Sequence, residues 1–274
     1  MKKFLTFIRF SHTLFALPFA LGSMIVAAHG WPGLPLFVLV IGCMVFARTA
    51  AMSFNRIVDW EIDLRNPRTA HRHKLLKKSQ ALFFCSLSGA FFWITASWIN
   101  HLCFALAPVA IALIFFYSLT KRFTHYAQFF LGLALAVSPV GAWIAVKGTL
   151  DWPPLILALG VICWVAGFDI IYATQDVEID RSEKLYSMVV WLGIPDALRL
   201  AGWLHFFLLI TLIAFGAMTQ QHFGYYLFLI SLPFLLLYEN RMAKTLQLNA
   251  INRAFFQTNV VVGCLFLAAT CAGL

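Results

Sequence analysis

Charged side chains are scarce in this sequence, and acidic ones are the scarcest. Only 11% of the 274 residues are charged, 62% are hydrophobic, and Asp and Glu together number 11. The mean hydropathy is +0.84. A typical soluble domain carries about 25% charged residues, so this composition excludes an ordinary soluble protein. It predicts a polytopic membrane protein in contact with the lipid bilayer.

Long polar segments are lacking as well, because apolar windows follow one another along most of the chain. A helix that crosses the hydrocarbon core needs about 20 mostly apolar residues. Nine windows are long enough: 11–29, 33–54, 80–99, 102–119, 127–146, 152–173, 197–219, 223–239 and 254–273. They are apolar all round, which excludes the alternating pattern of barrel strands. We therefore expect an all-α fold with nine transmembrane helices around a central cavity, forming one integral-membrane domain over residues 1–274.

Closely paired cysteines are absent too. The six cysteines lie inside or at the edges of the apolar windows, at Cys43, Cys85, Cys103, Cys163, Cys264 and Cys271. A disulfide framework or a zinc site would require paired spacings. The cysteines are predicted to be small core residues.

Basic residues follow a topological pattern. The loops between consecutive windows are numbered from the N-terminus. Of the 20 Lys and Arg residues, only Lys147 and Arg48 lie away from the N-terminal segment and the even-numbered loops, if a residue at a window edge is counted with the adjoining loop. The positive-inside rule then places the N-terminus in the cytoplasm, with residence in the bacterial inner (cytoplasmic) membrane expected. A net charge of +9 is thereby explained. Nucleic acid is excluded as a partner, because no aromatic and basic residues interleave into a binding strip.

The few acidic residues are clustered. Eight of the eleven lie in two stretches, 59–63 and 169–183, each at the predicted cytoplasmic end of a window. Two runs repeat an interval of four residues: Asn55, Asp59 and Asp63, here called the first motif, and Tyr172, Asp176 and Asp180, here called the second motif. Residues four apart share one helix face. Each motif is therefore predicted to present a column of oxygen ligands.

Such columns require cations, since like charges four residues apart repel one another. Magnesium binds oxygen ligands and is usually held by one or two carboxylates together with substrate phosphates. Nearby basic and phenolic side chains would suit the phosphates: Arg68 and Arg72 after the first motif, and Tyr117 with Lys121 at another helix end. The sequence predicts a site for metal ions and a diphosphate, open toward the cytoplasm.

Two arginines remain as candidates for a second ligand. Arg48 lies within an apolar window, seven residues before Asn55 and hence on the same helix face. A charge at that depth is costly unless it faces a polar cavity. Arg9 lies near the start of the first helix, where reaching toward the head groups explains it equally well.

These motifs resemble those of the UbiA family of intramembrane aromatic prenyltransferases, and the resemblance covers most of the chain. It is carried by the first motif with the following NPRT and Arg72, by Tyr117 with Lys121, and by the second motif preceded by Asp169. The opening FSHTLFALPF and the NRxxDxxxD form resemble the 4-hydroxybenzoate polyprenyltransferase-like subgroup. One departure is clear, because the family usually continues to Gly-Val-Lys-Ser where this chain has Lys184 to Ser187.

The resemblance implies magnesium-dependent transfer of a polyprenyl group from its diphosphate to an aromatic acid during quinone biosynthesis. The acceptor would be of the 4-hydroxybenzoate type, with 1,4-dihydroxy-6-naphthoate as the alternative. The implied catalytic and metal-binding residues are Asp59, Asp63, Asp176 and Asp180, with Asn55 as a further metal ligand. The implied diphosphate-binding residues are Arg68, Arg72, Tyr117, Lys121 and Tyr172, and the acceptor-binding residues are Arg9 and Arg48.

Other classes of membrane protein also use intramembrane or spaced acidic residues. Intramembrane acids also mark ion paths in secondary transporters, but here the acids cluster at helix ends. Family members that make haem, chlorophyll or archaeal lipid products would differ in the acceptor. A CDP-alcohol phosphotransferase also uses spaced aspartates, but its Asp-Gly and Ala-Arg elements are absent from both motifs.

Overall fold

The computed structural model describes residues 13–65, 69–70 and 74–274, without the side chains of 13–14 and 248–255. Helices and turns make up this part of the chain, and no strand occurs in it. The helices are α1 Thr13–Ala28, α2 Leu34–Val58, α3 Trp60–Arg65, α4 Lys78–Ile99, α5 His101–Thr120, α6 Ala127–Lys147, α7 Trp152–Ala173, α8 Val177–Ser182, α9 Met188–Leu192, α10 Ile194–Met218, α11 Phe223–Leu229, α12 Leu232–Ala243 and α13 Leu248–Ala272. The predicted all-α class is confirmed.

Seven helical segments in the described part are long and apolar enough to cross a membrane. They are α2, α4, α5, α6, α7, α10 and the segment Phe223–Ala243. The first and last predicted windows coincide with shorter apolar helices, Phe15–Ala28 and Phe256–Ala272, of 10–17 described residues. The count of nine crossings and the cytoplasmic N-terminus therefore stay predictions.

One predicted window is interrupted. The segment Phe223–Ala243 contains two helices, α11 and α12, which are separated at Ile230 and Ser231. Pro233 lies in the first turn of α12. A proline has no amide hydrogen and its ring obstructs the preceding helical turn, so a new helix begins just before it.

The chain forms two compact units, and the first contains Gly33–Leu119. Within this unit α2 packs along α4. Aromatic pairs connect α5 to both of these helices. Phe54 of α2 stacks on Phe115 of α5 with ring centroids 4.3 Å apart, and Trp93 of α4 stacks on Phe104 of α5 at 5.3 Å. Helices α2, α4 and α5 thus pack together within this unit.

The second unit contains Leu14–Pro32 and Thr120–Leu274, and α7 is its best-buried helix. Helices α6 and α10 both pack against α7. Glycines permit these close approaches: a Cβ on Gly132 would lie 2.7 Å from the carbonyl oxygen of Ile162, and one on Gly167 would lie 2.6 Å from the His205 ring. Small residues allow membrane helices to approach in this way.

A chain of hydrogen bonds crosses the core of the second unit. The indole Nε1 of Trp164 donates to Asn259 Oδ1 at 2.8 Å, and Asn259 Nδ2 donates to Glu239 Oε1 at 2.9 Å. All three side chains are fully buried. The neighbouring Asn240 lies 2.8 Å from Nδ1 of the buried His205. Polar side chains thus join α7, α10, α12 and α13 within an apolar core.

Cysteine behaves largely as expected. All six cysteines are free, and Cys85 and Cys163 are buried. Cys264 and Cys271 are exposed, however, so the prediction that they are core residues was wrong for these two. They lie on the outer face of the apolar helix α13, where small apolar side chains are tolerated.

Asn259→Leu should destabilise the second unit. The substitution leaves the Trp164 indole and a Glu239 oxygen buried without their partner, which typically costs about 1–3 kcal/mol for each such group. Glu239→Gln is the matched control, because its amide oxygen can still accept from Asn259. We expect thermal unfolding in detergent to shift downward for Asn259→Leu alone. Equal unfolding temperatures for the two variants would contradict this role.

Candidate active site

The first motif lies where α2 passes into α3. The helix is interrupted at Asp59 alone, and the backbone hydrogen bonds continue through the break, from Asp59 N–H to Asn55 O at 2.9 Å and from Asp63 N–H to Asp59 O at 2.8 Å. Asn55 Nδ2 also donates to Asp59 Oδ2 at 3.2 Å. The three residues therefore share one face, as their spacing predicted.

An ion pair at this motif was not predicted. Arg56 Nη1 lies 3.4 Å from Asp63 Oδ2, and both side chains are buried. The guanidinium offsets part of the negative charge that the repeated aspartates concentrate there. Arg56 precedes Asp63 by seven residues, two helical turns, so the spacing rule that placed Arg48 near Asn55 also identifies this pair.

Tyr117, at the end of α5, belongs to the same cluster in the first unit. The charges of Arg48, Arg56 and Asp59 all lie within electrostatic range of the Tyr117 hydroxyl. Arg48 is half-buried, 11 residues before Asp59 along α2. The structure therefore brings Arg48, Tyr117 and Asp59 of the first motif into one cluster, and their proposed roles stay predictions.

The second motif lies at the cytoplasmic end predicted for α7 and differs in local structure. Tyr172 belongs to α7, but a turn separates it from Asp176, whose N–H bonds Ala173 O at 3.0 Å. Asp180 lies in α8 and its N–H bonds Asp176 O at 2.8 Å. The interval of four residues thus follows a helix only in its second half. Asp176 is half-buried and Asp180 is buried.

Further polar groups surround the second motif. Lys121, Asp176 and Asp180 are the charged groups that act on Asp169, which precedes Asp176 by two turns. Gln175 is half-buried, and its amide has neither polar atom hydrogen-bonded. An unpaired buried amide is costly, so Gln175 is a candidate contact for a polar ligand. Asp169 and Gln175 had no predicted role, although both flank the motif in sequence.

Three predicted site residues lie outside the described part of the chain: Arg9, Arg68 and Arg72. Their proposed roles stay predictions. The described Thr69 is buried, and its hydroxyl donates to the carbonyl oxygen of Asp63 at 3.1 Å. This bond connects Thr69 to the backbone of α3.

The donor chemistry of both motifs suits a hard divalent cation. Each motif offers two aspartates. A side-chain amide lies beside each pair in sequence, Asn55 in the first motif and Gln175 in the second. The described residues contain no group of three or more His, Cys, Asp or Glu side chains arranged to hold an ion by themselves. Magnesium usually takes only one or two carboxylates from the protein and completes its shell with water and phosphate, so the residues present fit it.

Comparison with known families decides the identity of the chain. The model of the UbiA prenyltransferase family matches residues 16–261. The chain belongs to the UbiA prenyltransferase family. Its apolar helices and this membership identify it as an integral membrane prenyltransferase. Membership also favours an enzyme over the ion-coupled transporter considered from the acidic residues.

Similar sequences in this UbiA family cover nearly the whole chain. The 4-hydroxybenzoate octaprenyltransferase of Serratia proteamaculans is 28% identical over 93% of this chain and 89% of its own. The protein of the same name from Haemophilus ducreyi is 29% identical over 93% of both chains.

Solved structures share the fold. The apo UbiA homolog from Aeropyrum pernix K1 has a TM-score of 0.85 and 26% identity, covering 94% of this chain and 96% of its own. The UbiA homolog from Archaeoglobus fulgidus bound to DMAPP and Mg2+ has a TM-score of 0.77 at 19% identity, over 98% of both chains. The UbiA fold is thus established for this sequence.

Arg56 and Asp63 should be energetically coupled. We expect the double variant Arg56→Gln, Asp63→Asn to be less destabilised than the sum of the two single variants, by about 0.5–3 kcal/mol, because contacting charges are non-additive. Unfolding free energies of the four proteins, measured in the same detergent, give the coupling. Additive effects would show that the ion pair contributes nothing to stability.

Proposed function

We propose that this UbiA-family protein transfers a polyprenyl group from a polyprenyl diphosphate to an aromatic acid of the 4-hydroxybenzoate type, releasing diphosphate, in ubiquinone or menaquinone biosynthesis. The observation that carries the proposal is the pair of aspartate motifs, one in each unit, with a cation beside each. Relatives named 4-hydroxybenzoate octaprenyltransferase support this acceptor. The same chemistry on 1,4-dihydroxy-6-naphthoate is the alternative.

Each motif is a proposed binding site for one magnesium ion. Asn55, Asp59 and Asp63 would hold one ion, and Asp176 with Asp180 would hold another. When bound, magnesium supplies positive charge that offsets the charge developing on the leaving diphosphate. The Mg2+ bound by the Archaeoglobus fulgidus homolog supports this choice of metal.

The remaining side chains act on the substrates directly. Lys121 would bind phosphate oxygens as a point charge, and the hydroxyls of Tyr117 and Tyr172 would donate further hydrogen bonds to them. Arg68 and Arg72 are proposed for the same role. As the allylic carbon–oxygen bond breaks, the aromatic ring attacks that carbon, a carbon–carbon bond forms and the ring loses a proton. An apolar cavity would keep water from trapping the allylic cation as an alcohol.

The acceptor is assigned to Arg48 and Arg9. Arg48 is half-buried in α2, where a guanidinium can bind a carboxylate with two parallel hydrogen bonds. Arg9 is the second candidate. Both would orient the aromatic ring by its carboxylate while leaving the reacting carbon free to approach the prenyl group.

The proposed topology completes this assignment. The whole chain, 1–274, would act as one enzyme domain with nine transmembrane helices, a cytoplasmic N-terminus and a central cavity that opens laterally to the lipid. Both motifs would then face the cytoplasm of a bacterial inner membrane, where the soluble acceptor and magnesium are supplied. The polyprenyl tail is itself lipid-soluble and would enter from the bilayer.

Loss of either motif should abolish the reaction. In membranes given a polyprenyl diphosphate, magnesium and each acceptor in parallel, we expect a prenylated product from one acceptor by mass spectrometry. Asp59→Asn and Asp176→Asn should each reduce its rate about 100-fold or more, the usual effect of removing a preorganised electrostatic group. A chelator should have the same effect.

Matched controls are available within the same stretches. Glu61 and Glu178 are exposed acids, so Glu61→Gln and Glu178→Gln change the net charge equally and should retain nearly full activity. Equal losses in the aspartate and glutamate variants would refute a specific metal role for the motifs. Absence of product from both acceptors in the wild-type protein would refute the proposed reaction.

Arg48→Gln should weaken binding of the acceptor specifically. Losing a charged hydrogen bond to a carboxylate typically costs about 1.5–3 kcal/mol, which corresponds to a rise in the acceptor KM of roughly 10-fold to 100-fold. The KM for polyprenyl diphosphate should change little, because that substrate is assigned to other residues. A rise confined to the diphosphate KM would move Arg48 to the other subsite.

A further inference from the structure

The segment that follows α8 connects two groups of the candidate site. Lys184 turns the chain with a φ of 54°. The next two amides then donate to separate elements: Leu185 N–H bonds the carbonyl oxygen of Asp180 at 2.7 Å, and Tyr186 N–H bonds the carbonyl oxygen of Lys121 at 2.7 Å. Two consecutive residues thus link the backbone of the second motif to the backbone of Lys121.

The Tyr186 side chain strengthens this link. Its ring meets His125 edge to face with centroids 4.8 Å apart, and His125 in turn stacks on Trp191 at 5.4 Å. His125 lies four residues after Lys121 in the turn between α5 and α6, whereas Trp191 belongs to α9. Edge-to-face and stacked pairs add stability beyond their buried area, so the rings hold the turn that carries Lys121.

The residues that follow Tyr186 are anchored as well. Met188 N–H donates to Gln128 Oε1 at 3.3 Å, and the Ser187 hydroxyl accepts from Val190 N–H at 3.2 Å, capping α9. The segment is therefore held by α6 and α9 on one side. Tyr186 connects this anchored segment to the backbone of Lys121.

Lys121 needs such support, because it lies beyond the last residue of α5 and is exposed. Its charge acts on Asp169, together with the charges of Asp176 and Asp180. An exposed lysine loses side-chain entropy when it binds a ligand, and a preorganised backbone lowers that cost. The position of Lys121 thus bears directly on affinity for an anion beside the second motif.

We propose that Tyr186 is a positioning residue that holds Lys121 beside the second motif and so raises affinity for the diphosphate group of the prenyl substrate. This inference rests on the proposed function, since it assigns the diphosphate to Lys121. Tyr186 is not assigned a contact with the substrate. It acts through the backbone bond to Lys121 and the ring contact with His125.

The test compares ring removal with ring retention. The probe is geranyl thiolodiphosphate, an unreactive analogue, titrated with magnesium into the full-length protein in nanodiscs. Tyr186→Ala should raise its Kd about three-fold to tenfold, the range expected from the entropy of ordering one lysine side chain. Tyr186→Phe keeps the ring and should restore the wild-type Kd. The KM for polyprenyl diphosphate should rise in parallel with the Kd, with a smaller change in kcat.

A second aromatic residue provides the structural control. Tyr126 is exposed and contacts Trp191 with centroids 6.0 Å apart, but its backbone amide bonds Thr124. Tyr126→Ala removes a ring from the same cluster and should leave the Kd unchanged. Equal weakening by Tyr126→Ala and Tyr186→Ala would overturn the proposal, as would an unchanged Kd in Tyr186→Ala.

Dependence on Lys121 gives the decisive comparison. In a Lys121→Met background, Tyr186→Ala should add no further weakening, because the group through which it acts has been removed. Independent, additive effects would overturn the proposal. If the wild-type protein forms the prenylated product while Tyr186→Ala binds normally, only this inference fails. If the wild-type protein neither binds the analogue nor forms product, the proposed function fails.

Discussion

The hydrogen-bond chain from Trp164 through Asn259 to Glu239 constrains the second unit, because all three side chains are fully buried. Water can satisfy an exposed polar group, but a fully buried indole or carboxyl must find a protein partner. These bonds fix how α7 is rotated relative to α12 and α13. Since α7 ends at the second motif, the rotation also determines where Asp169 and Tyr172 lie. A structural interaction deep in the helix core therefore positions the polar groups at its end.

Charge compensation is the complementary constraint at the helix ends. Each motif concentrates aspartates at an interval that would cause repulsion, and each has a cation nearby: Arg56 paired with Asp63 in the first unit, and Lys121 acting on Asp169 in the second. The two cations differ in how firmly the surrounding structure holds them. Arg56 is buried within the helix that carries its motif, whereas Lys121 is exposed and depends on a neighbouring segment. Support for that segment thus matters more in the second unit.

Contacts set by the helical repeat could be predicted from the sequence, whereas contacts set by the packing of one helix against another could not. Asn55, Asp59 and Asp63 lie on one face because four residues make about one turn, and Arg56 with Asp63 follows from the same geometry at seven residues. The interruption before Pro233 was not predicted, since window 223–239 was expected to be one helix and Pro18, Pro108 and Pro139 lie inside helices that continue. The proximity of Lys121 to Asp169, by contrast, depends on how α6 and α7 approach at Gly132, and no local pattern encodes that approach.

The position of Arg48 supports the acceptor role proposed for it. The other described basic residues lie at or near helix ends, where phosphate and metal chemistry can be hydrated. Arg48 alone lies within an apolar helix, and a guanidinium there is stable only beside polar partners such as the Tyr117 hydroxyl. A small aromatic acid combines an apolar ring with one carboxylate, which matches a guanidinium within an apolar helix better than a diphosphate does. The depth of Arg48 therefore favours an acceptor role and leaves the helix ends for the leaving group.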